Sequence, residues 1–99
     1  MLLVSYIKEA REFLATHNWI QNHTSDGVGG YCAYGAICTS LRNIQDDHHA
    51  TENKVLDALE RCLPLGTTGI IAYNDTYGRT KEQILEIFDC AIENLEKNG

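Results

Sequence analysis

The stretch Gly29-Gly30-Tyr31-Cys32-Ala33-Tyr34-Gly35-Ala36-Ile37 decides how the rest of this chain can pack. A double glycine leads into a segment with helical spacing whose first turns carry almost only small side chains. Gly35 inside a helix costs up to about 1 kcal/mol relative to alanine, and a close approach by another backbone would offset that cost. We therefore predict a central helix from Tyr31 to about Asn43, with the two glycines forming a tight turn before it.

An amphipathic helix is predicted before this stretch, over residues 3–16. Its apolar residues recur at three- and four-residue steps, with charged residues on the other face. We expect it to stop near His17-Asn18, because asparagine tolerates the left-handed conformation that often follows a last turn. Trp19 should then cover the end of the core, with its indole N–H bonded to a partner.

Two more helices are predicted after the central one. Residues 51–63 keep helical apolar spacing between Thr51, a suitable N-cap, and Pro64, which stops the helix. The last helix should begin at Thr80, because Thr80-Lys81-Glu82-Gln83 matches the capping box.

The remaining segments are predicted to be irregular connections. Residues 21–30 and 45–50 are polar, and Ile70-Ile71-Ala72-Tyr73 is expected to be extended without a partner strand. The fold class is therefore all-α: a compact four-helix domain of residues 1–99, with a central small-residue helix and long irregular connections.

Composition restricts the classes of function. The 99 residues carry 14 acidic and 8 basic side chains, a formal net charge of −6, which argues against duplex nucleic acid as a partner. No apolar run approaches the length of a membrane span or a signal-peptide core. We expect a cytoplasmic protein whose four cysteines, Cys32, Cys38, Cys62 and Cys90, are reduced thiols.

Several motifs together resemble a family of small uncharacterised proteins of actinobacteria and bacteriophages. The family pattern is Gly-Trp-x-Gln, then Cys-x-x-Gly-Ala-Ile, then Trp-Asn-Asp followed by Arg-Thr. This chain departs from it at Asn18, where the family tends to have glycine, and at Tyr73, where it tends to have tryptophan. The resemblance implies an all-helical domain of unknown function. The matching segments are Asn18-Trp19-Ile20-Gln21, Gly30-Tyr31-Cys32-Ala33-Tyr34-Gly35-Ala36-Ile37, Ile70-Ile71-Ala72-Tyr73-Asn74-Asp75 and Gly78-Arg79-Thr80.

Cys32 is the one candidate nucleophile, because it begins a helix after two glycines, where many reactive thiols lie. A Cys hydrolase or acyltransferase would also need a histidine base and an orienting amide or carboxylate. A packed, inert cysteine is the simpler interpretation. The residues that could complete the set are His23, His48 or His49, with Asn74 or Asp75.

Asn74, Asp75 and Arg79 form the densest polar cluster of the sequence. Their simplest role is structural: a turn whose carboxylate holds Arg79 before the last helix. The alternative is a shared pocket for a small polar or anionic ligand, with Arg79 as the anion contact. The residues predicted to line that binding site are Trp19, Gln21, Cys32, Asn74, Asp75 and Arg79.

Two other patterns suggest ligands only weakly. Asp46-Asp47-His48-His49 is better explained as a solvated loop than as a metal site, because four converging ligands are not evident. Gly29-Gly30 at a helix start resembles an anion-binding loop, but Gly-Lys-Ser/Thr and a preceding strand are missing. We predict neither a metal nor a cofactor.

No complete catalytic set can be identified, and the chain is small and acidic. These features and the resemblance favour a non-catalytic binding or interaction protein of phage or bacterial origin, such as an inhibitor or adaptor acting on a host macromolecule. The alternatives are a small-ligand binding protein and a Cys32-dependent enzyme. The partners expected are a host or bacterial protein or a small ligand, and the sequence leaves a homodimer open.

Overall fold

Five helices and one short two-stranded sheet make up the part of the chain that the computed structural model describes, residues 2–42 and 48–98 without the side chains of His48 and Asn98. None of the described helices has both the length and the apolar composition needed to span a bilayer. The elements are α1 Leu3–Ala15, β1 Asn18–Trp19, β2 Gly30–Tyr31, α2 Ala33–Leu41, α3 His48–Glu60, α4 Ile70–Asn74 and α5 Lys81–Asn98.

The core lies where α1 packs against both α2 and α5, and α3 and α4 close the other side of α2. In α1, Ile7, Ala10 and Leu14 follow steps of three and four and are buried, as the amphipathic pattern predicts. Ile84 and Phe88 of α5 meet them with no exposed surface. Each such large apolar side chain contributes about 1.5–3 kcal/mol on burial, so the packing of α1 against α2 and α5 is a principal source of stability.

The predicted mainly helical fold is confirmed, but the arrangement of four helices is not. The segment expected to be extended forms α4, a short helix, because a brief apolar run does not by itself distinguish strand from helix. α3 begins at His48 rather than Thr51. The predicted polar break, residues 45–50, therefore extends too far toward the C-terminus, because residues 48–50 are helical. Gln45, Asp46 and Asp47 lie outside the described residues.

The end of α1 also differs from the prediction. Asn18 is not left-handed but extended, and β1 pairs in parallel with β2 through Asn18 opposite Gly30 and Trp19 opposite Tyr31. The left-handed residue is Asn22, with φ 71°. The loop between Trp19 and Gly30 brings the two strands side by side. No local pattern in the sequence predicts this strand pairing.

Gly35 confirms that a backbone approaches α2 closely, although it is not the backbone of another helix. A Cβ on Gly35 would overlap the carbonyl oxygen of Thr24 and lie 2.9 Å from its carbonyl carbon. The same carbonyl accepts a hydrogen bond from the Cys32 N–H at 3.3 Å. The small residues of α2 therefore serve two neighbours: the loop at Gly35, and the helical core at the fully buried Ala33 and Ala36.

The double glycine forms a turn around a carboxylate of the chain itself. Asp26 Oδ1 accepts hydrogen bonds from the N–H groups of Val28 and Gly30, both at 2.9 Å. These backbone bonds hold the pKa of Asp26 below its usual value. Gly29 has φ 95°, which glycine adopts without strain. The glycine turn predicted from the sequence is confirmed, and Asp26 occupies the Gly30 amide that an external anion would use.

The prediction that all four cysteines are free thiols is wrong. Cys62, just after α3, forms a disulfide with Cys90 in α5, and their Cα atoms are 6.1 Å apart. Cys32 and Cys38 are free. Both bonded cysteines lie in or beside helices, and spacing along the chain gives no indication that packing brings them together.

The capping box predicted at the last helix is confirmed. The Thr80 N–H donates to Gln83 Oε1 at 3.0 Å, and the Gln83 N–H donates to Thr80 Oγ1 at 3.2 Å. Two N–H groups without helical acceptors are thereby satisfied, which fixes the start of α5 at Lys81.

Candidate functional site

Asn74, the last residue of α4, is the centre of the predicted polar site. Its side chain is fully buried, and its Oδ1 accepts from Trp19 Nε1 at 2.7 Å and from the Ala33 N–H at 3.0 Å. Its Nδ2 donates to the Ile20 carbonyl at 3.2 Å and to Asp75 Oδ1 at 2.9 Å. A primary amide can make four such bonds, so the capacity of Asn74 is used in joining β1, α2 and α4.

The neighbouring predicted residues make bonds of the same kind. Gln21 Nε2 donates to the carbonyls of Asn74 and Thr76 at 3.0 and 2.8 Å. Asp75 Oδ1 also accepts from the Asn22 N–H at 2.8 Å. The structure therefore brings Trp19, Gln21, Asn74 and Asp75 together, as the sequence suggested, and uses these groups to hold the chain. Their binding of a ligand stays a prediction.

Arg79 does not take the predicted position against Asp75. Its Nε donates to the Tyr73 carbonyl at 3.0 Å, and its guanidinium carbon lies 3.7 Å from the centre of the Tyr73 ring. This combines a hydrogen bond to the end of α4 with a cation–π contact. The Tyr73 ring is thus the surface on which Arg79 stacks, and the expected Asp75–Arg79 pair is wrong.

Cys32 is the N-cap of α2, and its Sγ accepts from the Gly35 N–H at 3.3 Å. Only 4% of the residue is exposed. A cavity of about 90 Å³ is lined by Cys32, His23 and Asp75, among others. Two partners proposed for a catalytic set are therefore near Cys32, although no hydrogen bond joins the thiol to His23 among the described residues. His49 contacts Glu52 instead, with Nδ1 3.9 Å from Oε2.

A partly buried carboxylate on α3, that of Glu52, organises a second cluster, which sequence reasoning missed. Cys38 Sγ donates to Glu52 Oε1 at 3.1 Å, and the Tyr34 hydroxyl also hydrogen-bonds to Glu52. The bond to Glu52 raises the pKa of Tyr34, whereas burial and then this carboxylate raise the pKa of Cys38 to about 11. Tyr34 and Cys38 are four residues apart on α2, which places them on one face, but only tertiary packing shows the carboxylate.

The raised pKa of Cys38 gives a testable pH dependence. Because the thiolate is the reactive form, the folded protein should react slowly with iodoacetamide at pH 8, about a hundredfold more slowly than at pH 10 for a pKa near 11. Mass spectrometry of proteolytic peptides measures labelling at Cys38, with Cys38→Ser as the blank. Glu52→Gln should increase the rate at pH 8. Labelling of Cys38 at pH 8 as fast as a free thiol would contradict the assignment.

Two surface grooves meet at Tyr34. The apolar groove, of about 400 Å³, lies between α2, α3 and α4. The polar groove, of about 440 Å³, runs along α2 and the loop before it. Residues that define the apolar groove are Tyr34, Leu56, Glu60, Ile70, Ile71 and Ala72. Residues that define the polar groove are Thr24, Ser25, Tyr31, Tyr34, Cys38 and Arg42.

The side chains of Asp46, Asp47 and His48 lie outside the described part of the chain, so the interpretation of Asp46-Asp47-His48-His49 as a solvated loop stays a prediction. Within residues 2–42 and 48–98, no three His, Cys, Asp or Glu side chains form a group that could hold a metal ion. His48 and His49 begin α3, while Asp46 and Asp47 lie outside the described residues.

The fold and these contacts define a mainly helical protein in which the hydrogen bonds of Asn74 join β1, α2 and α4. The apolar and polar grooves lie beside these elements. Residues 3–94 match the model of a family of unknown function, DUF6197, and the chain belongs to this family. The matched range includes each motif that carried the resemblance, from Asn18 to Thr80. Neither a curated protein nor a solved structure matches the chain. An actinobacterial or phage origin stays a prediction.

Proposed function

We propose that this chain is a non-catalytic binding protein that docks on a partner protein through the apolar groove. The observation that carries the proposal is the surface around Ile71. Ile71 keeps 50% of its surface exposed, next to the buried Ile70 and beside Tyr34 and Leu56. Leu65, in the same connection that supplies Thr68 and Gly69 to the groove, is fully exposed. We take this exposed apolar surface beside a groove as the interaction site.

The Asn74 network supports this proposal because it fixes one wall of the groove. Ile70, Ile71 and Ala72 belong to α4, a helix of five residues that would be marginal without tertiary contacts. The bonds of Asn74 to Trp19, Ile20 and Ala33 tie its end to β1 and α2. A wall held in place before binding reduces the entropy lost on association.

We further propose that the partner is a host or bacterial protein and that the chain, of phage or bacterial origin, acts on it in the cytoplasm as an inhibitor or adaptor. The formal net charge of −6 supports a protein partner over nucleic acid.

Photo-cross-linking tests the proposed docking surface. A benzoylphenylalanine placed at Ile71 should give a discrete cross-linked product in a bacterial lysate, because the partner covers that position. The same residue at Val28, which is 82% exposed in a different loop, is the matched control and should give none. Equal products at both positions, or none at Ile71 together with silence in binding screens of the purified protein, would contradict the proposal.

Binding of a small polar or anionic ligand is the second candidate, and the polar groove favours it. Its volume of about 440 Å³ lies within the range of roughly 300–1,000 Å³ for ligand sites. Arg42 lines it, and its guanidinium has no ion pair with the described residues. Arg42 would then be the anion contact in place of Arg79, whose guanidinium stacks on Tyr73.

A thiol enzyme is the third candidate, supported by the cavity that His23, Cys32 and Asp75 share. That cavity measures about 90 Å³, well below the roughly 300 Å³ at which ligand sites begin. The thiol is almost completely buried, and Asp75 Oδ1 already accepts two hydrogen bonds. These contacts support a structural Cys32 over a nucleophile.

A further inference from the structure

Glu60 places a negatively charged carboxylate at the apolar groove, and no cationic side chain among the described residues pairs with it. Its Oε2 lies 2.9 Å from the point where a Cβ on Gly69 would stand, so the carboxylate rests over the groove's backbone wall. The Glu60 backbone carbonyl accepts from the Leu63 N–H at 3.2 Å, but the Glu60 carboxylate has no hydrogen-bond or ion-pair partner among the residues that the structure describes. The next residue, Arg61, is held by Asp57 at 3.0 Å instead. A cation could therefore approach Glu60 without displacing an existing partner.

From this charge, and building on the proposed function, we infer that the occupant of the apolar groove is an amphipathic segment of a partner protein that places a Lys or Arg side chain against Glu60. The apolar residues of the segment would contact Ile70, Ile71 and Leu56, in the manner of a helix in a groove. A second copy of this chain would bring another formal net charge of −6, and like charges disfavour such a pairing. Charge complementarity therefore selects a basic partner.

Selection from a random 12-residue peptide library on the immobilised protein tests this inference. The enriched peptides should combine apolar residues with at least one Lys or Arg. Synthetic fluorescein-labelled copies, measured by fluorescence anisotropy, should bind Glu60→Lys about tenfold more weakly than the unaltered protein. Replacing the basic residue of the peptide with alanine should weaken binding to the unaltered protein and change binding to Glu60→Lys much less.

Glu86→Lys is the matched control, because Glu86 is exposed on α5, lines neither groove, and its reversal changes the net charge equally. Its affinity for the peptides should stay within about twofold of the unaltered protein, as expected for a distant exposed charge. If Glu60→Lys and Glu86→Lys weaken peptide binding equally, the overall charge of the protein explains the effect, and the inference is overturned. Enriched peptides without basic residues, or no enrichment, would also overturn it.

Ile71→Glu separates this inference from the function on which it rests. This substitution at a half-exposed position should abolish binding of the same peptides while leaving the melting temperature nearly unchanged. Lost binding with Ile71→Glu but unchanged binding with Glu60→Lys would reject the basic partner and retain the groove. Unchanged binding with both would reject the groove itself as the peptide site.

Discussion

Replacing Asn74 with alanine is expected to lower the free energy of unfolding by about 3 to 5 kcal/mol. Truncation removes all four hydrogen bonds of a fully buried amide. Each buried polar group left without a partner costs about 1–3 kcal/mol. The Ala33 N–H is buried and loses its bond outright, whereas the partly buried Ile20 carbonyl and Trp19 indole can regain part of their bonds from water. The total therefore falls near the upper end of single-substitution effects.

Urea unfolding followed by the fluorescence of Trp19, the one tryptophan of the chain, measures this loss. Asn53→Ala is the control, because Asn53 is exposed on α3 and its replacement should change stability by less than about 0.5 kcal/mol. If Asn74→Ala costs under about 1 kcal/mol, the amide does not join the three elements. The fixed wall of the apolar groove would then lose its physical basis.

Removing the Cys62–Cys90 disulfide is expected to cost about 3 to 4 kcal/mol. The bond closes a loop of 28 residues, and the loss of chain entropy in the unfolded state grows with the logarithm of this length. The double variant Cys62→Ser, Cys90→Ser should therefore unfold at a clearly lower urea concentration than the oxidised protein. Since α3 carries Leu56 and Glu60, the bond also holds one wall of the groove to α5.

A reducing agent provides the internal control for this second prediction. The phosphine TCEP should lower the stability of the unaltered protein to near that of the double serine variant and leave the variant unchanged. An unaltered protein that is equally stable with and without TCEP would show that the bond contributes nothing. Mass spectrometry after alkylation under denaturing conditions confirms which cysteines were paired.

The elements that rest on local interactions could be predicted from the sequence. Apolar steps of three and four residues specify α1, and Thr80 with Gln83 specifies the start of α5, because each pattern acts within one or two helical turns. The short α4 could not be predicted. Its five residues span little more than one helical turn, too few to show a repeating apolar pattern. Contacts from Trp19 and Gln21, more than fifty residues away, hold its end.

The candidate site divides in the same way. The sequence drew attention to Trp19, Gln21, Asn74 and Asp75 as polar or aromatic groups in motifs, and packing does bring them together. The sequence could not show that the hydrogen bonds of these side chains go to one another and to nearby backbone groups. The hydrogen bond between Cys38 and Glu52 could not be predicted from the sequence either, because the two residues lie on different helices and no local pattern relates them.

By itself, the sequence determined the mainly helical character, the capping box of the last helix, the glycine turn and the need for a close neighbour at Gly35, since all of these follow from backbone geometry, local hydrogen bonding and side-chain size. Only the tertiary structure decided that this neighbour is the loop at Thr24, that Arg79 stacks on Tyr73, and that Cys62 bonds to Cys90. Such contacts depend on the distance between segments far apart in the chain, and that distance is set by the packing of the whole core.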